Sequence, residues 1–189
     1  MGSPLEKIRH LHPCREAVDW LATQPSAAEA WRSCERGDWM LWLLGRISGP
    51  VGSKSRKKLV LAACACARLS LKYVPKGEGR PRVAIVTAER YARGTHDVML
   101  DDVRNAAAAA AAAAYAAYAY AYADAYAYAA AAYAAYAAYA DAYAYAYAAY
   151  AYADAYAAYA DAAHADTLCR CAGIVRKHYP RPPRIPRKK

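Results

Sequence analysis

The chain has 189 residues, a length that fits one domain with an extension and excludes a large multidomain enzyme. It contains 19 Tyr and no Phe, and 16 of the Tyr lie in residues 106–165 among 39 Ala, four Asp and one His. The net charge of +10 is compatible with nucleic acid or with an acidic protein partner, and it decides nothing about the fold.

Charge divides the chain into three parts. Residues 1–105 contain 18 basic and 11 acidic residues, residues 106–166 contain five Asp and no Lys or Arg, and residues 167–189 contain eight basic residues and no acidic one. Together with the composition, this division predicts four segments: a helical globular domain over 1–105, an Ala/Tyr-rich low-complexity helical tract over 106–166, a C-terminal helix over 167–180 and a basic, Pro-rich tail over 181–189.

Pro, Ser and Gly residues divide the first segment into predicted helices. Pro13 can occupy the first position of a helix. Ser26 and Glu29 form an S-x-x-E capping box ahead of a second helix, and Gly37 is typical of the residue that stops one. The predicted helices span 14–23, 27–36, 38–48, 55–73 and 82–93.

Large apolar side chains on these helices are expected to form a single core. The segment 38–48 is apolar almost all round, which predicts a central helix. Each large side chain that becomes fully buried contributes roughly 1.5–3 kcal/mol. The expected core residues are Trp20, Trp31, Trp39, Trp42, Leu43, Leu59, Leu61, Ile85 and Val86.

The Ala/Tyr tract fits two periods. Alternating Ala and Tyr over 118–128 match a strand, whereas Tyr115, Tyr118 and Tyr122 recur with helical spacing. Because Ala is the best helix former and no Gly or Pro interrupts the tract, a helix is favoured. Its 60 residues would extend for about 90 Å as a straight helix, so the tract forms either a projecting rod or a helical hairpin. Its aromatic stripe could support self-association, although the individual Tyr and Asp positions fit a spacer of biased composition better than specific ligands.

The C-terminal region is predicted to contain a short helix and a tail without regular structure. A short helix alone is marginal in water, so Ile174 and Val175 are expected to dock on the N-terminal globule. Such docking requires a break or a hairpin in the tract. The tail over 181–189 is rich in Pro and Arg, which predicts a disordered or polyproline-like segment. The overall fold class is therefore all-α.

The sequence contains no recognisable catalytic motif. Its five His are scattered, and no GxSxG, GxGxxG, P-loop or HExxH pattern occurs. The spacing of His10, His12 and Cys14 fits no common zinc site, and Cys169 and Cys171 do not form a CxxC pair. We therefore expect no catalytic residue, no cofactor, no cofactor-binding residue and no metal ligand, and we expect the protein not to be an enzyme.

The cysteines and the termini bear on the compartment. Six Cys without CxxC spacing predict reduced thiols, and the N-terminal residues include no apolar secretory segment. Asp124, Asp141, Asp154 and Asp161 recur along the tract, and a carboxylate at bilayer depth is costly, so no membrane span is expected. These features predict a cytoplasmic protein.

Two basic clusters support an alternative, nucleic-acid-binding function. Phosphate binding requires only clustered positive charge, although basic runs are more often a solubilising feature. One cluster lies at a predicted helix start and the other in the tail. Their members are Lys54, Arg56, Lys57, Lys58, Arg181, Arg184, Arg187, Lys188 and Lys189.

Six segments outside the Ala/Tyr tract carry a family resemblance: CERGDWMLWL at 34–43, ACACARLSL at 63–71, PRVAI at 81–85, TAERYARG at 87–94, DDVR at 101–104 and IVRKHYP at 174–180. Together they resemble an alanine-rich helical immunity-protein family of bacterial toxin–immunity systems and phages. The resemblance covers about residues 14–105 and 167–182, with a variable Ala-rich tract between. It implies an all-helical protein without known chemistry that binds and blocks a toxin.

The expected function is thus a non-enzymatic helical interaction protein, an immunity-type inhibitor that neutralises a toxin. The net charge suits an acidic toxin better than a basic nuclease. The first alternative is a basic, nucleic-acid-associated bacterial or phage protein. The second is a structural spacer that self-associates through the Tyr-rich helix.

Overall fold

A computed structural model describes residues 3–74, 76–118 and 161–186, of which residues 73, 113–118 and 161–164 are described by their backbone alone. These residues contain eight α-helices, two 3-10 helices and no strand, which confirms the all-α prediction. The α-helices are α1 Pro4–Ile8, α2 Arg15–Ala22, α3 Ala27–Ser33, α4 Gly37–Ile47, α5 Lys54–Ala67, α6 Arg80–Arg93, α7 Leu100–Tyr118 and α8 Asp161–His178. The 3-10 helices are Arg9–Leu11 and Arg68–Tyr73.

Side-chain caps explain where several helices begin. The Ser26 hydroxyl accepts a hydrogen bond from the Glu29 amide at 3.1 Å, and Ser53 caps α5 through the amide of Arg56. Helix α1 was not expected, although its signal is of the same kind. Ser3 and Glu6 form a capping box in which each side chain accepts from the other residue's backbone amide.

Helix α8 packs the C-terminal part of the chain against the N-terminal helices. It packs against both α4 and α5, and Val175 and Ala172 have no exposed surface. The Arg176 guanidinium donates to the Cys34 carbonyl at 2.6 Å, which ties α8 to the end of α3. The predicted docking of Ile174 and Val175 on the N-terminal globule is therefore confirmed.

The expected stop at Gly37 is wrong, because this residue begins α4. Helix α3 ends three residues earlier than predicted, at Ser33, since Cys34 adopts an extended backbone with ψ near 119°. A methyl group on Gly37 would lie 2.6 Å from the Ala172 backbone nitrogen of α8. The glycine is thus required by the close approach of α4 and α8, a contact between residues far apart in sequence.

A core of small and branched side chains lies between α5, α6, α7 and α8. Helices α6 and α7 make the most extensive helix pair, followed by α5 and α6. The fully buried side chains of largest volume in this core include Leu59, Val60, Ile85, Val103 and Val175. Ala84, Ala88, Ala107 and Ala110 have no exposed surface either, so alanines at the start of the Ala/Tyr tract belong to the globular core.

The expected core residues fall into three groups. Trp31, Leu59 and Ile85 are buried as predicted. A second group is half-buried and consists of Trp20, Trp39, Trp42, Leu43 and Leu61. Val86 was expected in the core but is 36% exposed, because adjacent residues on a helix point about 100° apart and Ile85 takes the inward position.

Several sequence predictions concern the tract. The predicted boundaries at 105 and 166 both fall inside continuous helices, α7 and α8. The rod or hairpin over the tract, its tyrosine stripe and any self-association through it lie outside the described residues. Among the described helices, none has the length and apolarity needed to cross a membrane.

Candidate functional site: a tryptophan groove

All four tryptophans of the chain line one apolar groove. Trp20 comes from α2, Trp31 from α3, and Trp39 and Trp42 from α4. The groove is partly open to solvent and has a free volume of about 80 Å³. The other residues that line it on these helices and on α1 are Pro4, Ile8, Ala17, Leu21, Ala27, Ala30, Cys34, Met40 and Leu43. We call this feature the tryptophan groove.

The C-terminal tail completes the tryptophan groove. Pro182, Pro183 and Ile185 are among its lining residues. Pro183 and Ile185 are half-buried, whereas Arg184 between them is exposed. The tail was predicted to be disordered or polyproline-like, and its described part has neither helix nor strand but lies along the groove.

One hydrogen bond fixes the point where the tail enters the groove. The Trp31 indole N–H donates to the Tyr179 carbonyl at 2.8 Å, one residue beyond the end of α8. The Tyr179 ring is covered by the Lys58 ammonium, whose nitrogen lies 4.5 Å from the ring centroid. Burial raises the pKa of the Tyr179 hydroxyl to about 12, so this ring stays neutral where the tail begins.

Trp39 forms the wall shared with a second, more polar cleft. Its ring packs against Trp20 at 5.8 Å between centroids, and the Arg36 guanidinium stacks 4.4 Å from its centroid. Two hydrogen bonds, of 2.9 and 2.7 Å, hold Arg36 on the buried Asp38 carboxylate and raise the pKa of Arg36. The Trp39 indole N–H is buried and has no hydrogen-bond partner in the part of the chain that the structure describes.

The structure divides the basic cluster at the start of α5. Arg56 is buried, and its Nε donates to the Gly49 carbonyl at 3.1 Å. Lys54 is exposed, while the Lys57 ammonium lies 5.3 Å from the centre of the Tyr91 ring. Lys54, Lys57 and Lys58 are therefore the members of this cluster that a phosphate could reach.

The second basic cluster begins two residues beyond Tyr179, whose ring Lys58 of the first cluster covers. Arg181 and Arg184 are exposed in the tail, whereas Arg187, Lys188 and Lys189 lie outside the described residues. The contact with Tyr179 places Lys58 beside the end of α8 from which the tail leaves. Burial, and then the charge of Lys58, lower the pKa of His178 at this helix end.

The three buried cysteines, Cys34, Cys64 and Cys66, have the properties of structural residues. All six cysteines lie in the described residues and are free. Burial raises the pKa of Cys34 to about 11 and raises that of Cys64 further. A hydrogen bond with Cys171, together with burial, raises the pKa of Cys66. Thiols held in the protonated form are poor nucleophiles and poor metal ligands.

The residues weighed as metal ligands are not brought together. No group of three His, Cys, Asp or Glu side chains able to hold a metal occurs within the described ranges. His10 and Cys14 lie on either side of a turn at His12, which adopts a left-handed backbone with φ 58°.

Comparisons with protein-family models, curated proteins and solved structures find no similar protein, so the function is inferred from local geometry.

Sequence reasoning missed the tryptophan groove because it assigned every tryptophan to the core. The available signal was the combination of four Trp with a Pro-rich tail, since extended Pro-rich segments pack well on aromatic side chains. That signal gives no position for the tail. The position depends on the docking of α8, which is a contact across more than 100 residues.

Proposed function

We propose that this protein is a non-enzymatic helical interaction protein that binds a protein partner through the tryptophan groove, as an immunity-type inhibitor of a toxin. One observation carries the proposal: four tryptophans line a single groove that remains open to solvent. Trp is the residue most enriched among those that dominate the energy of protein interfaces. A groove with half-buried aromatic walls and free space between them suits an apolar anchor from a partner.

The immunity assignment has separate support from the sequence. The segments at 34–43 and 174–180 that resemble the immunity family include two of the groove tryptophans and the start of the tail. The six free thiols suit a reducing compartment, as does the raised pKa of the buried Cys34, so we propose that the protein is cytoplasmic, where an immunity protein meets its toxin.

The test uses the product of the neighbouring gene, which we expect to be a toxin that this protein neutralises. Trp42→Ala removes a groove wall that is only half-buried, so we expect at least a 30-fold weaker complex with that toxin and loss of protection, as for a central interface tryptophan. Met99→Ala is the matched control, because Met99 is 68% exposed and lies outside the groove. If Trp42→Ala protects cells as well as the unaltered protein does, the groove is not the inhibitory surface.

A nucleic-acid-associated function is the second candidate, and the closeness of Lys58 to the start of the tail favours it. If phosphates are bound, the logarithm of the affinity falls linearly with the logarithm of the salt concentration, with a slope near −0.9 per phosphate neutralised. A double substitution of Lys54 and Lys58 by Gln should then reduce that slope by about two. A complex that resists salt instead supports a packed protein interface.

A further inference from the structure

We infer that the tryptophan groove recognises extended proline-rich segments, and that residues 179–185 of this chain are an internal ligand that a proline-rich segment of the partner must displace. The inference rests on the proposed use of the groove for a protein partner and adds the chemistry of what is bound. It also gives the tail a role, that of a competitor held within the same molecule.

The first argument is the way in which the groove holds the tail. A proline-rich segment has no internal hydrogen bonds and few N–H groups, so its carbonyl oxygens depend on donors from outside. The Trp31 indole supplies such a donor to the carbonyl of Tyr179, the residue that precedes Pro180. An indole N–H that meets a carbonyl next to proline, with proline rings against aromatic side chains, is the chemistry of polyproline recognition.

The second argument is the arrangement of apolar and charged residues along the tail. Pro182, Pro183 and Ile185 line the groove, and Pro183 and Ile185 are half-buried, whereas Arg184 is exposed and does not line it. The groove therefore holds the proline and isoleucine side chains of the tail and leaves the arginine between them in solvent. The charged positions remain outside, which predicts a ligand that tolerates Arg or Lys between its apolar residues.

The third argument concerns competition. The tail leaves α8 one residue before its hydrogen bond to Trp31, so its effective concentration at the groove is of the order of 1 mM. A free segment of the same chemistry must overcome that concentration. If it binds with a Kd near 100 μM to the open groove, the tail weakens its apparent affinity roughly tenfold.

Two full-length variants separate the internal ligand from a passive tail. Ile185→Asp places a charge against the apolar groove and should release the tail. Pro186→Asp makes the same change of charge one residue further on, at an exposed position outside the groove lining. The probe is a peptide with the sequence of residues 179–186, YPRPPRIP, and the readout is tryptophan fluorescence during titration.

We expect Ile185→Asp to bind the peptide about tenfold more tightly than the unaltered protein, and Pro186→Asp to match the unaltered protein. A peptide in which both prolines corresponding to Pro182 and Pro183 are Ala should bind about fivefold more weakly, because it must be ordered from a flexible chain. Equal binding by the unaltered protein and Ile185→Asp, or equal binding of the two peptides, would overturn the inference.

Further measurements keep these outcomes distinct. Circular dichroism verifies the helical content of Ile185→Asp, and Pro183→Ser provides a second way to release the tail if that variant does not fold. A dimer that the unaltered protein forms and Ile185→Asp does not would place the tail in the groove of a second copy and overturn the internal arrangement. If the peptide binds as expected but the neighbouring toxin is not neutralised, only the proposed function fails. Toxin neutralisation without peptide binding rejects only this inference.

Discussion

The helix pair α6–α7 and the tryptophan groove bury apolar surface in opposite ways. In and around the helix pair, Ala84, Ala88, Ala107 and Ala110 have no exposed surface, and their small side chains allow close packing. In the groove, the large rings of Trp20, Trp39 and Trp42 are only half-buried and leave open space between them. One region has small, fully buried side chains, and the other has large, half-buried side chains beside open space.

This difference indicates which region serves stability and which serves binding. Adding or removing atoms in a densely packed interior lowers the free energy of unfolding, because the neighbouring side chains cannot move far enough to adapt. An open aromatic wall can gain contacts when a second segment lies on it, as the tail already does. The same type of substitution should therefore have unequal effects in the two regions.

The largest effect is expected for Ala88→Leu. Ala88 is fully buried in α6, so three added carbon atoms have no space, and we expect the free energy of unfolding to fall by about 3 kcal/mol. Ala27→Leu is the matched control, because Ala27 is half-buried at the start of α3 and lines the open groove. Its effect should be within about 0.5 kcal/mol. Urea unfolding measures both, and equal losses would contradict the contrast between the two regions.

A second contrast involves two glycines, Gly37 at the α4–α8 contact and Gly173 on a part of α8 that no neighbouring atom approaches. In Gly37→Ala the new methyl group would lie 2.6 Å from the Ala172 backbone nitrogen. We therefore expect the free energy of unfolding to fall by about 2 kcal/mol and α8 to dock more weakly. Gly173→Ala, in α8 itself, meets no atom within 4 Å and should stabilise the helix by about 0.5–1 kcal/mol. The midpoint temperature of thermal unfolding should therefore fall in Gly37→Ala and rise in Gly173→Ala. A Gly37→Ala variant that is more stable than the unaltered protein would refute the close approach of α4 and α8.

The pH dependence of stability tests the contribution of Glu89, a buried carboxylate on α6. Hydrogen bonds from Arg68, at 2.8 and 2.9 Å, lower the pKa of Glu89, against the opposing effect of burial. The lowered pKa gives stability that is present above the unfolded value of about 4.3 and is lost as pH falls through the folded pKa. The side chains of Arg68 and Arg93 are 39% and 58% exposed, so solvent screens their attraction to Glu89. We therefore expect Glu89→Gln to lower the free energy of unfolding by only about 1 kcal/mol at pH 7.

Urea unfolding between pH 3 and 7 measures this difference. The gap between the unaltered protein and Glu89→Gln should be constant above about pH 5 and should shrink below about pH 4. Asp19→Asn is the control, since Asp19 and Arg15 form a long, exposed pair at 3.9 Å and should contribute almost nothing. A gap that widens toward low pH would reverse the assigned direction of the shift.

The sequence predicts the helices well because their signals are local. Ser26 caps α3 as expected, Ser53 caps α5 by the same local interaction, and α6 ends at Gly94 in the left-handed conformation that favours glycine. Gly37 illustrates the limit of such signals. A glycine after a helical run indicates a stop, yet here its missing side chain is required by α8, which the local sequence cannot report.

The tryptophan groove lies beyond local prediction for a related reason. Hydrophobicity places Trp39 and Trp42 in the core, but whether a large ring is covered depends on which distant element reaches it. Here the covering element is a tail whose composition favours disorder when it is considered alone. The toxin-neutralising function, the absence of enzymatic activity and the nucleic-acid alternative remain predictions from sequence, because no similar protein bears on them.

The smallest expected effect comes from paired substitutions in the groove, Trp31→Phe and Trp39→Phe. Each removes an indole N–H, but only Trp31 loses a hydrogen bond, the one to the Tyr179 carbonyl. We expect Trp31→Phe to weaken the hold on the tail by about 0.5–1.5 kcal/mol, and Trp39→Phe to lose no such bond because its N–H has no partner in the described residues.

Trypsin measures this difference at the Arg184–Ile185 bond, which it can cut only when the tail has left the groove. Cleavage there should be roughly 2- to 12-fold faster in Trp31→Phe than in the unaltered protein, since cleavage follows the population of the open form when opening is fast. Mass spectrometry identifies the product that ends at Arg184. Equal acceleration in Trp39→Phe would attribute the effect to loss of ring volume, and the hydrogen bond to Tyr179 would then not be what holds the tail.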